Sequence, residues 1–417
     1  MLLSSNILLA QTDTTRTKFQ QLTDSIEPME IDIIGGYYSQ DGANSAVTGG
    51  RGTEDLQVVP ATFIINIPSK KNNYNFNIGV DNVTSASTDN MDTDVSSASK
   101  VDTRVHGDLS YTRKVNKRKS YHVIGGFSSE YDVKSFSAGA GFAVESKNKN
   151  SSIDINGKVY YDNWFLYYPA EFRPGVDSAV LENFDHDTYK HSSGNDSRIS
   201  YNFSASFAQI ITPKLQIAIT ADFVLQTGLL ATPFHRVYFN DGINNDGNNE
   251  FEDIKSDKLR KREFLPDSRM KIPVSFRFHY YISSTFIFKG FYRYYYDDFG
   301  IRANTFELEL PVRFSKAFAL IPFYRYHTQT ASTYFAPFGE HLLTDTYFTS
   351  DYDLSAFNST NYGLGIRFTP LFGIGRNAES KKSDFIFKSL NLRYALYDRS
   401  NSLNAYMITL GLGFTVF

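Results

Sequence analysis

The chain has 417 residues, a mass of 47.3 kDa, a formal net charge of −3 and no cysteine. Disulfides, cysteine zinc sites and thiol nucleophiles are therefore excluded, and a pI near 6.3 lacks the basic footprint of a nucleic-acid binder. No window offers the ~18 uninterrupted apolar residues of a spanning helix, yet 28 Tyr and 36 Phe accompany a mean hydropathy of −0.34. A barrel wall fits such an average, because only every second residue of its strands meets lipid.

The opening Met1 to Gln11 reads as the apolar half and cleavage end of a secretory signal, processed after Ala10, although its basic start is missing. Residues 1–10 are thus expected to be a residual signal peptide. Residues 11–28 are expected to form a polar periplasmic segment, with a helix possible over 13–27, and residues 29–417 a single barrel. The absence of cysteine suits passage through an oxidising periplasm.

Alternating runs recur from there to the end of the chain. Their period of two places successive side chains on opposite faces of a strand. Sixteen strands are predicted: 29–38, 56–67, 73–84, 100–113, 119–129, 133–146, 151–163, 198–210, 213–226, 269–282, 284–297, 303–315, 317–330, 360–370, 384–397 and 404–417. The pattern is clearest from Arg269 to Gln329, where Met270, Ile272, Val274, Phe276, Phe278 and Tyr280 alternate with Arg269, Lys271, Ser275, Arg277 and His279. A soluble antiparallel sheet is the rival explanation. Against it, these strands run to about a dozen residues where soluble ones average about five or six, and their apolar faces crowd Tyr and Phe at the ends.

The connections sort by length. Short polar links such as Pro68–Asn72, Asn116–Lys119 and Ser315-Lys316 alternate with mostly longer ones at 39–55, 85–99, 164–197, 227–268 and 331–359. Short periplasmic turns and long outer loops are the habit of bacterial barrels. The fold class expected is therefore all-β: a transmembrane, antiparallel, up-and-down barrel. Phe417 supplies the C-terminal aromatic that barrel-insertion machinery reads, but it falls one residue out of phase with Tyr406, Ile408, Leu410, Leu412, Phe414 and Val416, so a bulge or a register slip is expected there.

Two constellations could bind or conduct. The loop from Asp241 to Asp253 offers carboxylate and amide oxygens on a glycine-containing turn, which is what a hard cation requires. Asp241, Asn244, Asp246, Asn248, Glu250 and Asp253 are its candidate Ca2+ ligands, against the alternative of a solvated acidic loop. It is not a proper EF-hand, because with Gly247 at the sixth position the first falls on Gly242. The second constellation is a charged inner face: Arg269, Lys271, Arg277, His279, Lys289, Arg293, Asp297, Glu307, Glu309, Arg313, Arg325 and His327. Such rows set selectivity where a pore is open, or merely keep a closed interior wetted. For catalysis there is no Gly-x-Ser-x-Gly elbow, no His-Glu-x-x-His and no phosphate-cradling loop with Lys, and the eight histidines are scattered. No enzyme is expected. An outer-membrane hydrolase is the least favoured alternative.

Several segments resemble landmarks of an uncharacterised bacterial outer-membrane family, domain of unknown function three-five-seven-zero. They are Thr232-Pro233-Phe234-His235-Arg236-Val237, Phe264-Leu265-Pro266-Asp267-Ser268-Arg269, Tyr292 to Gly300, Tyr324 to Ala331 and Ser350 to Phe357, with Thr53-Glu54-Asp55 resembling its first strand entry. The resemblance implies a barrel in a Gram-negative outer membrane. It also implies an association with a small lipoprotein, a thioredoxin-like protein and a flavin-attaching transferase or flavinylated redox proteins, and it supplies no substrate. The expected function is a channel, or a membrane-embedded component of an envelope transport or redox complex. The alternative is a closed-lumen scaffold that docks partners through Tyr-rich loops at 164–197 and 331–359.

Overall fold

The computed structural model describes residues 28–85, 101–169, 172, 194–240, 260–375 and 385–416. The first nine strands are β1 (Met29–Asp41), β2 (Leu56–Pro68), β3 (Asn72–Ser85), β4 (Val101–Lys114), β5 (Lys119–Ser129), β6 (Val133–Glu145), β7 (Ser151–Leu166), β8 (Gly194–Thr212) and β9 (Leu215–Gly228). Two short strands follow, β10 (Arg236–Asn240) and β11 (Arg260–Arg262), before the ladder resumes with β12 (Ser268–Tyr281), β13 (Ile287–Asp297), β14 (Arg302–Glu309), β15 (Val312–Arg313) and β16 (Phe318–Gln329). The last are β17 (His341–Leu342), β18 (Phe357–Phe368), β19 (Phe385–Arg399) and β20 (Leu403–Val416).

Every wall strand lies antiparallel beside its neighbour in sequence, and the ring closes where β1 pairs with β2 on one side and with β20 on the other, from Met29↔Val416 to Asp41↔Asn404. Closure follows from the solvent. In hydrocarbon an unpaired N–H or C=O has no water to turn to, so only a sheet without edges can span. Counting β14 and β15 as two pieces of one strand, and setting aside β10, β11 and β17, sixteen strands form the wall. The break in β14–β15 falls at Leu310-Pro311, because Pro311 has no N–H for the ladder. Its carbonyl still accepts from Ile287 N at 3.1 Å.

Side-chain parity separates two environments. Phe63, Ile78, Phe203 and Phe306 sit about mid-strand with 49–51% of their surface exposed, where a soluble sandwich would bury them between sheets. At the short-turn end, Phe314, Phe318, Phe368, Phe387, Phe414 and Phe385 form a run of rings with successive centroids 4.7–6.4 Å apart across five wall strands and their margins. Such a belt is the aromatic girdle of a membrane interface.

Several sequence expectations shift. The strand expected over 303–315 is interrupted at Pro311. β8 starts at Gly194, four residues before its predicted start, and β18 starts at Phe357 instead of 360. β20 pairs with β1 without a break as far as Val416, and the bulge or register slip expected at Phe417 lies outside the described residues, while β19 carries an extra residue between Phe387 and Ser389. This turns Lys388 inward to Glu30 at 2.9 Å. Phe417 and residues 1–27 are outside the described residues, so the expected signal peptide at 1–10 and nearly all of the periplasmic segment expected at 11–28 lie there too. No helix among the described residues is long and apolar enough to cross a membrane, which says nothing against crossing by strands.

The two faces make different demands on substitution. Phe63→Arg on the lipid face should cost ~2–4 kcal/mol, the depth-dependent charge penalty of a barrel midplane, whereas Ser204→Arg on the inner face should leave stability nearly unchanged. Heat-modifiable gel mobility across a urea series in lipid vesicles measures both. Equal losses would mean that the outer face is not in lipid.

Candidate functional site

The candidate site is built at the long-loop end, where three connections fold together. The 42–55 connection carries a single 3₁₀ turn, Ala46–Thr48. The 229–267 connection contributes β10, which pairs antiparallel with β11, and the 330–356 connection adds β17 in parallel beside β10. Val237, Phe239 and Phe348, with 0%, 4% and 6% of their surface exposed, form a small core of their own above the wall. The Phe239 and Phe348 rings meet edge to face at 4.8 Å, and Phe264 and Phe348 exchange two backbone hydrogen bonds of 3.1 and 2.8 Å.

The roots of these connections show what the assembly does. The 42–55 connection leaves the ring between the first and second wall strands, and 229–267 leaves between the ninth and tenth, half the ring away. Yet the Arg236 guanidinium donates to the Val47 carbonyl at 2.8 Å, and the Tyr238 ring packs where a Cβ on Gly49 would stand, 2.6 Å from it. Gly49 has φ +78°, so a side chain there would be both strained and obstructed. The loops therefore bridge the mouth. Phe338 of the third connection joins them, its ring 4.5 Å from that of Tyr238 and under the Arg51 guanidinium at 4.2 Å.

Charged groups tie this cap to the wall. Arg399, at the end of β19 and 5% exposed, pairs with Asp353 at 2.6 Å, and Gln329 donates to the carbonyls of Asp353 and Ser355 at 2.9 and 2.7 Å. Asp297 is fully buried at the end of β13. It pairs with Arg269, whose Nε donates at 3.0 Å, and also accepts from the Tyr295 hydroxyl at 2.8 Å and the Ile301 amide at 2.9 Å. Burial in the cap also shifts acids outside the wall. Glu54 is pushed up to about 7, first by burial and then by the negative charge of Asp353, with Arg399 pulling the other way.

Of the inner-face residues expected from sequence, the structure pairs some and leaves others as neighbours. Lys289 and Glu309 stand opposite each other in the ladder and pair at 2.7 Å. Arg393, three strands away on β19, reaches the same Glu309 at 3.6 Å and lies over Phe323. Glu307 faces Arg325, and Lys271 faces Asp297. Arg277 lies over Phe291, His279 is opposite Lys289, and Arg293 is opposite Thr305. His327 Nδ1 meets the Thr305 hydroxyl at 2.9 Å, a hydroxyl buried in the wall, while Arg313 is exposed beside the short-turn rim. On the opposite side Lys158 of β7 pairs with Asp108 of β4 at 3.1 Å. Gly126 on β5, between them, makes room, since its Cβ would stand 2.2 Å from the Asp108 carboxylate. The calcium loop expected at Asp241, Asn244, Asp246, Asn248, Glu250 and Asp253 lies outside the described residues.

A family profile described as "Protein of unknown function (DUF3570)" matches residues 1–378. The chain belongs to this family. No curated protein matches the DUF3570 chain. Among solved structures it is similar to a bacterial polysaccharide outer-membrane secretin, at 9% identity and a TM-score of 0.44 over 93% of this chain and 97% of that one. It is also similar to the Pseudomonas aeruginosa protein OccK1, at 6% identity and 0.40 over 93% and 98%, and to the P. aeruginosa siderophore receptor PirA, at 8% identity and 0.39 over 92% and 80%. The architecture stands on the DUF3570 chain's own strand pairing.

Two measurements probe the site. Asp297→Ala strands the Arg269 cation and should cost ~3–5 kcal/mol, as removal of one member of a buried pair does, while Lys388→Ala breaks a half-exposed pair and should cost ~0–1 kcal/mol. Guanidinium unfolding followed by the fluorescence of the single Trp164 compares them. Glu54 gives the pH test. Its folded pKa lies above the ordinary 4.5, so the folded chain holds a proton that the unfolded chain has released. The resulting stability is present below about 4.5 and is lost as pH rises toward about 7. Hydrogen exchange over 42–55, corrected for its intrinsic pH dependence, should show less protection at pH 8 than at pH 5, and Glu54→Gln should flatten the difference.

Proposed function

We propose that this DUF3570 protein is an outer-membrane barrel of a Gram-negative bacterium, closed at its outer mouth and serving as the membrane-embedded member of an envelope assembly. The observation that carries this reading is the Arg236–Val47 hydrogen bond between connections rooted half a ring apart. A mouth bridged by loops with their own apolar core presents a formed surface instead of an open vestibule, and a formed surface spares a partner the entropy of ordering loops. Aromatic side chains add to its suitability as a contact face. The small lipoprotein, thioredoxin-like and flavinylated proteins implied by the family resemblance are the partners proposed for it. The chemistry would be theirs, because the resemblance supplies this chain with no catalytic residue.

A second reading, a channel that opens when the cap moves, is favoured by the ion pairs along the inner face, Lys289–Glu309 and Lys158–Asp108. Planar-bilayer recording separates the two. The wild-type protein is expected to be silent at low voltage. Val237→Asp, which breaks the cap core without touching the wall, is expected to stay silent if the barrel only docks partners and to give current steps if it gates. Steady steps from the wild type would overturn the closed-mouth reading.

A further inference from the structure

The cap holds a cluster that bridging the mouth does not require. His235 enters β10 and Glu263 leaves β11, and the Glu263 amide donates to the His235 carbonyl at 3.0 Å, so the two are cross-strand neighbours at the base of one hairpin. Asp351 comes from the 330–356 connection, held beside them by the Phe264–Phe348 bridge. One donor atom from each of the three residues lies within 4.8 Å of the other two.

The geometry is not that of a simple ion pair. His235 Nδ1 is shut off from solvent and makes no hydrogen bond. It lies 3.7 Å from the Glu263 carboxylate, too far for a hydrogen bond, yet near the roughly 3.3–3.5 Å between two ligands on a tetrahedral ion with bonds of ~2.0–2.1 Å. The carboxylates are already oriented from behind. Glu263 accepts from the Thr232 amide at 2.6 Å and from the Thr349 hydroxyl, and Asp351 accepts from the Asp353 amide at 2.9 Å. Such outer partners aim ligands and sharpen their basicity. Asp353 adds further negative charge nearby, partly offset by Arg399. Glu263 also lines a cleft of about 360 Å³ with Tyr168, Pro233 and Arg262.

We propose that His235, Glu263 and Asp351 bind a divalent transition-metal ion, which clamps the β10–β11 hairpin to the 330–356 connection. One imidazole and two carboxylates form a mixed nitrogen and oxygen set suited to Zn2+ or Mn2+, in contrast to the all-oxygen shell of Ca2+. The inference does not depend on whether the barrel conducts.

Full-length protein stripped with chelator and folded in detergent would be titrated with ZnCl2 and MnCl2 by calorimetry, with Co2+ absorption as a check on nitrogen ligation. One equivalent of one of the two ions is expected, together with slower proteolysis of the cap. Asp351→Asn keeps an oxygen for the Asp353 amide and so spares the fold. It and His235→Ala should weaken binding by at least the roughly 10–100-fold that loss of an outer partner costs. Asp246→Asn, in the 241–253 loop, should leave Zn2+ and Mn2+ binding unchanged. The proposal is overturned if the wild type binds neither ion, if Asp351→Asn with unaltered heat-modifiable mobility binds as well as the wild type, or if Asp246→Asn alone abolishes binding.

Discussion

The backbone's need for hydrogen-bond partners in a solvent that offers none governs this protein. A sheet with edges would leave two rows of unpaired N–H and C=O groups facing hydrocarbon, and the pairing of β1 with β20 removes both. Once the ring is closed, the period of two along each strand divides the side chains between lipid and lumen. The same constraint shows at Pro311, whose missing donor divides one wall strand into β14 and β15.

Within the lumen, charge is managed by pairing across distance as well as between neighbours. Glu309 receives Lys289 from the adjacent strand and Arg393 from three strands away, and Asp108 leans over Gly126 to reach Lys158. These contacts lie along the wall and leave the question of a path to the mouth. There the loops behave differently from ordinary barrel loops. Val237, Phe239 and Phe348 give them a core, Arg399 of the wall holds one of them through Asp353, and Arg236 joins two of them through the Val47 carbonyl. Removing Asp353 would leave the Arg399 guanidinium buried without its carboxylate, the costly way to break such a contact.

The cap also gathers groups whose proximity sets their chemistry. Glu54 is driven up by burial near Asp353, and His235, Glu263 and Asp351 converge from two loops. Burial drives Asp351 up to about 6, followed by the charge of Asp353, with His235 acting in the opposite direction. His235 is raised because, although burial opposes its charged form, Glu263, Asp351 and Asp353 outweigh that penalty. An arrangement with more acid than base in a low-dielectric pocket favours an added cation, whether proton or metal.

Alternation from Met270 to Tyr280 and its fifteen counterparts was enough to specify a barrel, its strand count, and which side of Lys289 or Phe306 faces lipid, because parity is a local property of the chain. The alternation of short and long connections likewise marked out two different ends of the barrel. What the sequence could not reveal is anything that depends on where the loops go. His235 and Asp351 lie within the family-like segments and Glu263 immediately precedes one, but 28 residues separate His235 from Glu263 and 88 separate Glu263 from Asp351. No spacing rule joins them. Only the folded ring brings Arg236 to Val47 across the mouth, since contact between opposite sides of a barrel is decided by circumference and loop packing, not by neighbours in the chain.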